Sequence, residues 1–141
     1  MSAYKKIVCD IVDKDSLLEA LELLDLTAED HETPVNLKGY RGDQRNEKAN
    51  IIIDRTQVNK FTGASNDIGF LWNDAENKYE FIVSEYDQRH KMDQSVIQAY
   101  VKVVLEKALK KNGFKIKVNI DEDNLKRKVM SDLEITARKI I

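Results

Sequence analysis

The amino-acid sequence predicts an α+β fold, a mostly antiparallel sheet with two amphipathic helices packed on one face. Three observations predict it. Alternating apolar and polar residues recur in short segments, and the connections between Val35 and Val83 are of hairpin length. Two other segments switch to apolar spacings of three and four. Strands outnumber helices in the resulting order, β-α-β-β-β-β-α-β-β.

The first strand is expected within Tyr4 to Val12, where Ile7, Val8, Ile11 and Val12 form β-branched runs bounded by charges. A helix follows, with Ser16 and Glu19 as a capping box and Leu17, Leu21 and Leu24 as its buried stripe. The acidic stretch from Thr27 to Thr33 ends at Pro34 and is expected to be a surface loop. Val35 to Lys38 and Ala49 to Ile53 then read as two strands, joined through Gly39, Gly42 and the polar run Asp43 to Lys48.

Phe61 to Asn66 is rich in turn residues, and Ile68 to Trp72 with Tyr79 to Val83 flank a second turn as a hairpin. The longest helix is expected to start at Asp93 or Ser95. Ile97, Tyr100, Val101, Val104, Leu105 and Ala108 lie on its apolar face, and Gly113 follows its last turn. Phe114 to Ile120 alternates as a strand, and Leu133 to Ala137 is expected to be the last one.

The chain has 141 residues, which suits a single domain burying roughly 68–70% of its unfolded surface. No linker, repeat or low-complexity tract divides it, so residues 1–141 are expected to form one domain. Cys9 is the one cysteine, and the amino terminus lacks a long apolar run, which together imply a reducing, cytoplasmic location. Charged residues interrupt every stretch that approaches the ~20 apolar positions of a membrane-spanning helix.

Charge is unevenly placed. Residues 1–100 carry a net −7 and residues 101–141 a net +5. Such asymmetry fits either a basic face for nucleic acid or ordinary solvated faces, the commoner case. Lys126, Arg127, Lys128, Arg138 and Lys139 are the candidate basic patch, but single-strand binders interleave basic and exposed aromatic residues, and the last aromatic here is Phe114.

Catalytic constellations are sparse in the sequence. One cysteine and two distant histidines do not make a zinc site, and no metal or other cofactor is expected. His31 among Glu29, Asp30 and Glu32 reads as an acidic surface loop, and His90 as a solvated loop residue. Asp121-Glu122-Asp123 lacks the glycine and terminal glutamate of a calcium loop. Cys9 reads as a small buried hydrophobe, and Ser84 with His90 matches no nucleophile motif. Neither glycine-rich phosphate motif occurs. Tyr40 and Trp72, at strand ends beside turn residues, remain as a candidate interaction surface together with Arg41, the alternative being that both aromatics cover the sheet edge.

Several segments carry a family resemblance: Met1-Ser2-x-Tyr4-x-Lys6-Ile7, the Leu-rich first helix, Leu37-Lys38-Gly39-Tyr40, Asp67-Ile68-Gly69-Phe70, Tyr79-Glu80-Phe81-Ile82-Val83, Ala99-Tyr100 and Lys111-Asn112-Gly113-Phe114. In this order they resemble the hypothetical chloroplast reading frame thirty-five family of cyanobacteria, plastids, other bacteria and phages. The likeness covers most of residues 1–120 and contains no catalytic motif. It implies an accessory role, a location in cytoplasm, plastid stroma or a phage-infected host, and a ring-forming ATPase as the kind of partner.

The leading expectation is therefore a non-catalytic accessory or adaptor protein that contacts another protein. The alternatives are a nucleic-acid-associated protein using the basic carboxy-terminal segment, and an enzyme using carboxylates such as Asp54, Asp67 or Glu85.

Overall fold

In a computed structural model, residues 3–111 are described. They form strands β1 (Tyr4–Ile7), β2 (Ala28–Lys38), β3 (Gln44–Ile53), β4 (Ile68–Asn73) and β5 (Lys78–Ser84). Helices are α1 (Lys14–Leu23), α2 (Arg55–Thr62), α3 (Glu85–Arg89) and α4 (Met92–Lys111). All strand pairs are antiparallel, in the order β1-β5-β4-β3-β2. This is the expected α+β class. The two expected strands and the Gly113 helix end beyond α4, with the basic patch Lys126, Arg127, Lys128, Arg138 and Lys139, lie outside the described residues.

Strand alternation divides the apolar residues between two faces. Ile51 and Ile53 of β3, Ile68 and Phe70 of β4, and Phe81 and Val83 of β5 join the main core. From the helices, Leu17, Ala20 and Leu21 of α1 meet Val96, Tyr100, Val103 and Val104 of α4 there. Both long helices thus cover one face, but α4 begins at Met92 rather than at Asp93 or Ser95, and its core face takes Val96 and Val103 with Tyr100 and Val104, while the expected Leu105 and Ala108 are only half-buried. Tyr100 adds a polar tie, because its hydroxyl accepts from the amides of Val12 and Asp13 at 3.1 Å each.

The opposite face is closed by the chain itself. Leu37, Ala49, Ile52 and Ile82 form a second small core there, flanked by Tyr4 and Leu71. Since β4 pairs only with residues 51–53 of β3, the outer part of the β2–β3 hairpin is unconstrained by β4 and bends over this face. Register shifts between Asp30 and Val35 and between Asn36 and Lys38 permit the bend. Gly69 of β4 makes room for it: a Cβ there would stand 2.6 Å from the Ala49 Cβ and 2.9 Å from the Leu37 Cδ2.

Several local expectations are corrected. Strand β1 stops at Ile7, because its ladder with β5 runs only from the Tyr4–Ser84 pair to the Ile7–Phe81 pair. Beyond it the Val8 side chain is 94% exposed, whereas Ile11 returns to the core. Helix α1 begins at Lys14 with Asp13 as cap. The Asp13 carboxylate accepts from the Ser16 amide at 3.3 Å and from the Ser16 hydroxyl, which leaves Ser16 inside the first turn and buried. Glu19 pairs instead with Lys107 of α4 at 3.3 Å.

Residues 28–33, expected as a loop, belong to β2. Their charges are compatible with an edge strand, which shows much of its surface to solvent. Pro34, which has no amide hydrogen, falls within the first register shift. There the Asn50 side-chain amide donates to the His31 and Glu32 carbonyls at 3.2 and 3.1 Å, taking the place of ladder bonds. The connection to β3 is correspondingly shorter than expected, with strand resuming at Gln44.

Two short helices escaped the apolar pattern because neither has a stripe to show. In α2 only Val58 is buried, and the helix is set by its ends: Asp54 caps Thr56, and Gly63 closes it at φ +91°. In α3, five residues long, the Ser84 cap supplies the start.

Gly69→Ala is expected to destabilise the protein by about 1–3 kcal/mol, because the two cores on either side of β4 leave little space to relax. Urea unfolding measures it; a loss well below that range would mean the hairpin does not press on β4 as described.

Candidate interaction site

Where the bent hairpin returns to β4, a group of polar side chains is buried: Ser65, Asn66, Asp67, Ser84 and Asp87. Asp67 stands at the junction. Its Oδ2 accepts from the Lys38 amide at the end of β2, and its Oδ1 from the Arg55 amide at the start of α2, both at 2.8 Å. Its own amide donates to the Lys38 carbonyl at 2.9 Å. The Tyr4 hydroxyl, from the edge strand β1, donates to the Asp67 carbonyl at 2.7 Å and to the Lys38 carbonyl at 3.2 Å. Residues of opposite sheet edges therefore meet at one point.

Burial holds the Asp67 carboxyl above its ordinary range, against the two amides that favour the charge; neighbouring Asp54 raises it further and Arg55 lowers it. Burial also raises the Tyr4 phenol, with Asp67 adding to the effect and Arg45 opposing it. The Arg45 guanidinium carbon lies 5.0 Å from the centre of the Tyr4 ring.

Asp87 lies next to this junction and is fully buried. Its Oδ2 accepts from the Ser84 hydroxyl at 2.9 Å and from the Asn66 amide at 3.3 Å. Burial is the main cause that raises its carboxyl, while hydroxyls of Ser65 and Ser84 and the Asn66 amide pull it down. Asn66 then passes the order outward, since its side-chain oxygen accepts from the Tyr40 amide at 2.9 Å. The turn at residues 39–43 is further closed by the Gly39 amide to the Asp43 carbonyl at 2.8 Å and the Gly42 amide to the Gly39 carbonyl at 2.9 Å. Gly42 takes φ +80°, a conformation that suits glycine.

At the tip of that turn Tyr40 is 54% exposed and Arg41 is exposed beside it. The third member of the expected surface stands apart. Trp72 is six residues along the chain from Asn66, near the far end of β4, roughly 20 Å away at strand spacing. There it packs edge-on against Tyr79 with ring centres 4.9 Å apart, and its Nε1 donates to Asp74 at 2.7 Å.

The carboxylates weighed for chemistry have separate duties. Asp54 caps α2, and its bonds to Thr56 hold its carboxyl below the ordinary value. Glu85 opens α3 and lies 3.6 Å from Lys5. Ser84 is buried as a helix cap, while the exposed His90 ring bonds the Tyr86 carbonyl at 2.9 Å, so the two do not form a nucleophile pair. Burial, aided by Asp10, pushes the Cys9 thiol up to about 11, against the Ile11 amide and Lys78. It stays protonated at neutral pH and is a poor nucleophile. His31 stands 3.7 Å from Glu29, on β2. Among the described residues no group of three His, Cys, Asp or Glu is placed to hold a metal ion, and no helix is long and apolar enough to cross a membrane.

A family model for a protein of unknown function (DUF1257) matches residues 20–129, most of the chain. The chain belongs to the DUF1257 family. No curated protein and no solved structure matches it. The part matching DUF1257 contains the tip, Asn66, Asp67 and Asp87, whereas Tyr4 lies before it.

Sequence reasoning singled out Tyr40, Arg41 and Asp67 but missed Tyr4, Asn66 and Asp87 as parts of one assembly. The available signal was the polar run Ser65-Asn66-Asp67 directly before an apolar strand, since side chains of these types bond nearby backbone in turns.

Two outcomes test the assembly. Tyr4→Phe should cost about 1 kcal/mol and speed hydrogen exchange at the Asp67 amide; unchanged exchange there would refute the cross-sheet tie. For Asp87, a raised folded value means the folded protein keeps a proton that the unfolded chain has already released. Its contribution to stability is then greatest below the ordinary carboxylate range and is lost as pH rises through the folded value. Asp87→Asn should therefore gain stability relative to the natural chain between about pH 4 and neutrality. Paired urea titrations at the two pH values decide this, and a constant difference counts against it.

Proposed function

We propose that this protein is a non-catalytic accessory or adaptor that presents the β2–β3 tip to another protein. One observation carries this reading: Tyr40 projects into solvent from a turn whose backbone is fastened to the buried Asn66 and Asp67. Tyrosine and arginine dominate the energetics of many protein interfaces, and a contact held in advance loses less entropy on binding. Tyr40 and Arg41 supply both residue types on one such turn.

The likeness to the chloroplast reading-frame family supports an accessory role and implies a ring-forming ATPase as the kind of partner. A single half-buried cysteine fits a reducing setting, cytoplasm or stroma. A carboxylate-based reaction has less support, because Asp67 commits both oxygens to backbone amides and Asp87 is sealed from solvent. The nucleic-acid alternative rests on the basic residues from Lys126 to Lys139, outside the described residues.

A photoreactive phenylalanine analogue in place of Tyr40, activated in host cells, tests the reading. The expected product is a cross-link to a specific protein, reduced several-fold by Arg41→Ala, while the same analogue at Trp72 does not capture that protein. Cross-links to nucleic acid alone, or capture indifferent to Arg41, would reject it.

A further inference from the structure

The described residues carry 16 Lys and Arg against 20 Asp and Glu, so carboxylates for ion pairs are abundant. Lysines supply many of their salt bridges, as Lys6 to Glu80 at 3.0 Å and Lys107 to Glu19 at 3.3 Å show. Arg41 and Arg55 have no salt bridge among the described residues. Both belong to the tip. Arg41 is at its apex, and Arg55 reaches it from α2, where a Cβ built on Gly42 would lie 3.3 Å from the Arg55 Nη2. Arg55 is within electrostatic reach of Asp54 and Asp67, but at salt-bridge distance from neither. The Asp67 oxygens are already occupied by the Lys38 and Arg55 amides.

We infer that the tip recognises a carboxylate-bearing segment of a partner protein, with Arg41 and Arg55 as paired donors and Tyr40 as the apolar contact beside them. The inference rests on the adaptor reading and adds the chemistry of its partner. A guanidinium offers a planar fork that matches a carboxylate with two parallel hydrogen bonds. Two such forks and an exposed aromatic residue on or beside one turn suit an acidic segment with an apolar residue next to its Asp or Glu. A turn apex is convex, unlike the enclosed sites that hold small molecules.

Phosphate groups share the fork geometry, but a nucleic acid is disfavoured here. Its affinity grows with the number of phosphates neutralised, and the tip supplies only two guanidinium groups.

The full-length chain is titrated, by fluorescence anisotropy at low salt, against three labelled probes: a peptide alternating Glu and Leu, its Gln-for-Glu counterpart, and an oligothymidylate of similar length. The acidic peptide should bind about tenfold more tightly than the Gln version. Arg41→Glu and Arg55→Gln should each remove most of that preference, with the Arg41 variant melting like the natural chain because its side chain is exposed. Because Arg55 starts a helix, Arg55→Lys serves as its second variant: it keeps the charge and should retain only part of the preference.

Equal binding of acidic and Gln peptides overturns the carboxylate inference, yet leaves the surface reading to the photo-cross-linking result. Stronger binding of the oligothymidylate than of the acidic peptide, lost with Arg41→Glu, overturns it in favour of phosphate. Absence of binding by all three probes overturns it as well, and the cross-link at position 40 still decides independently whether the tip meets a protein.

Discussion

A single buried carboxylate holds the architecture together. Asp67 receives the Lys38 amide from one edge strand and the Arg55 amide from the first turn of α2, while its carbonyl accepts the Tyr4 hydroxyl from the other edge. Each amide would otherwise need another partner at a place where the chain has left the regular ladder, and an unpaired buried polar group is costly. Asp67 is 4% exposed, and its carboxylate is stabilised in place by those same amides. The arrangement is reciprocal: the hairpin bends because Asp67 can anchor it, and Asp67 tolerates burial because the hairpin brings an amide to it.

From this junction the consequences run in two directions. Inward, the bent hairpin lays Leu37 and Ala49 over Gly69 and completes a second core on the face that no described helix covers. A five-stranded sheet is thus buried on both sides, by helices on one and by its own longest hairpin on the other. Outward, Asn66 joins the Tyr40 amide to the buried cluster that includes Asp87, so the exposed end of the hairpin is tied to the interior. Loops tied down in this way are suited to recognition, because rigid scaffolds commonly display binding residues on their connections. In the proposed adaptor reading, the polar cluster positions that surface.

The amino-acid sequence by itself determined the elements whose signals are periodic. The β4–β5 hairpin followed from two alternating runs around a turn, and α1 and α4 from apolar spacing, although the face of α4 that meets the core is centred on Val96, Tyr100, Val103 and Val104 rather than on the whole expected stripe. Singling out Tyr40 and Arg41 also required only the observation that large side chains sat among turn residues. Less was legible where polar residues make structure. The acidic strand from Ala28 resembles a loop because an edge strand has little need of an apolar outer side, and α2 is specified by Asp54 and Gly63 at its ends rather than by a stripe.

Tertiary structure alone decided which distant polar residues share a site. Tyr4, Lys38 and Asp67 are separated by dozens of positions, and hydrogen bonds between a side chain and a remote backbone leave no period in a sequence. Nor could local pattern reveal that Tyr40 and Trp72, similar in their turn-flanked settings, lie near opposite ends of β4. Periodicity records which side of an element is dry; it carries no information about where a long hairpin bends, because that depends on the fit of Leu37 and Ala49 against a glycine two strands and one strand away.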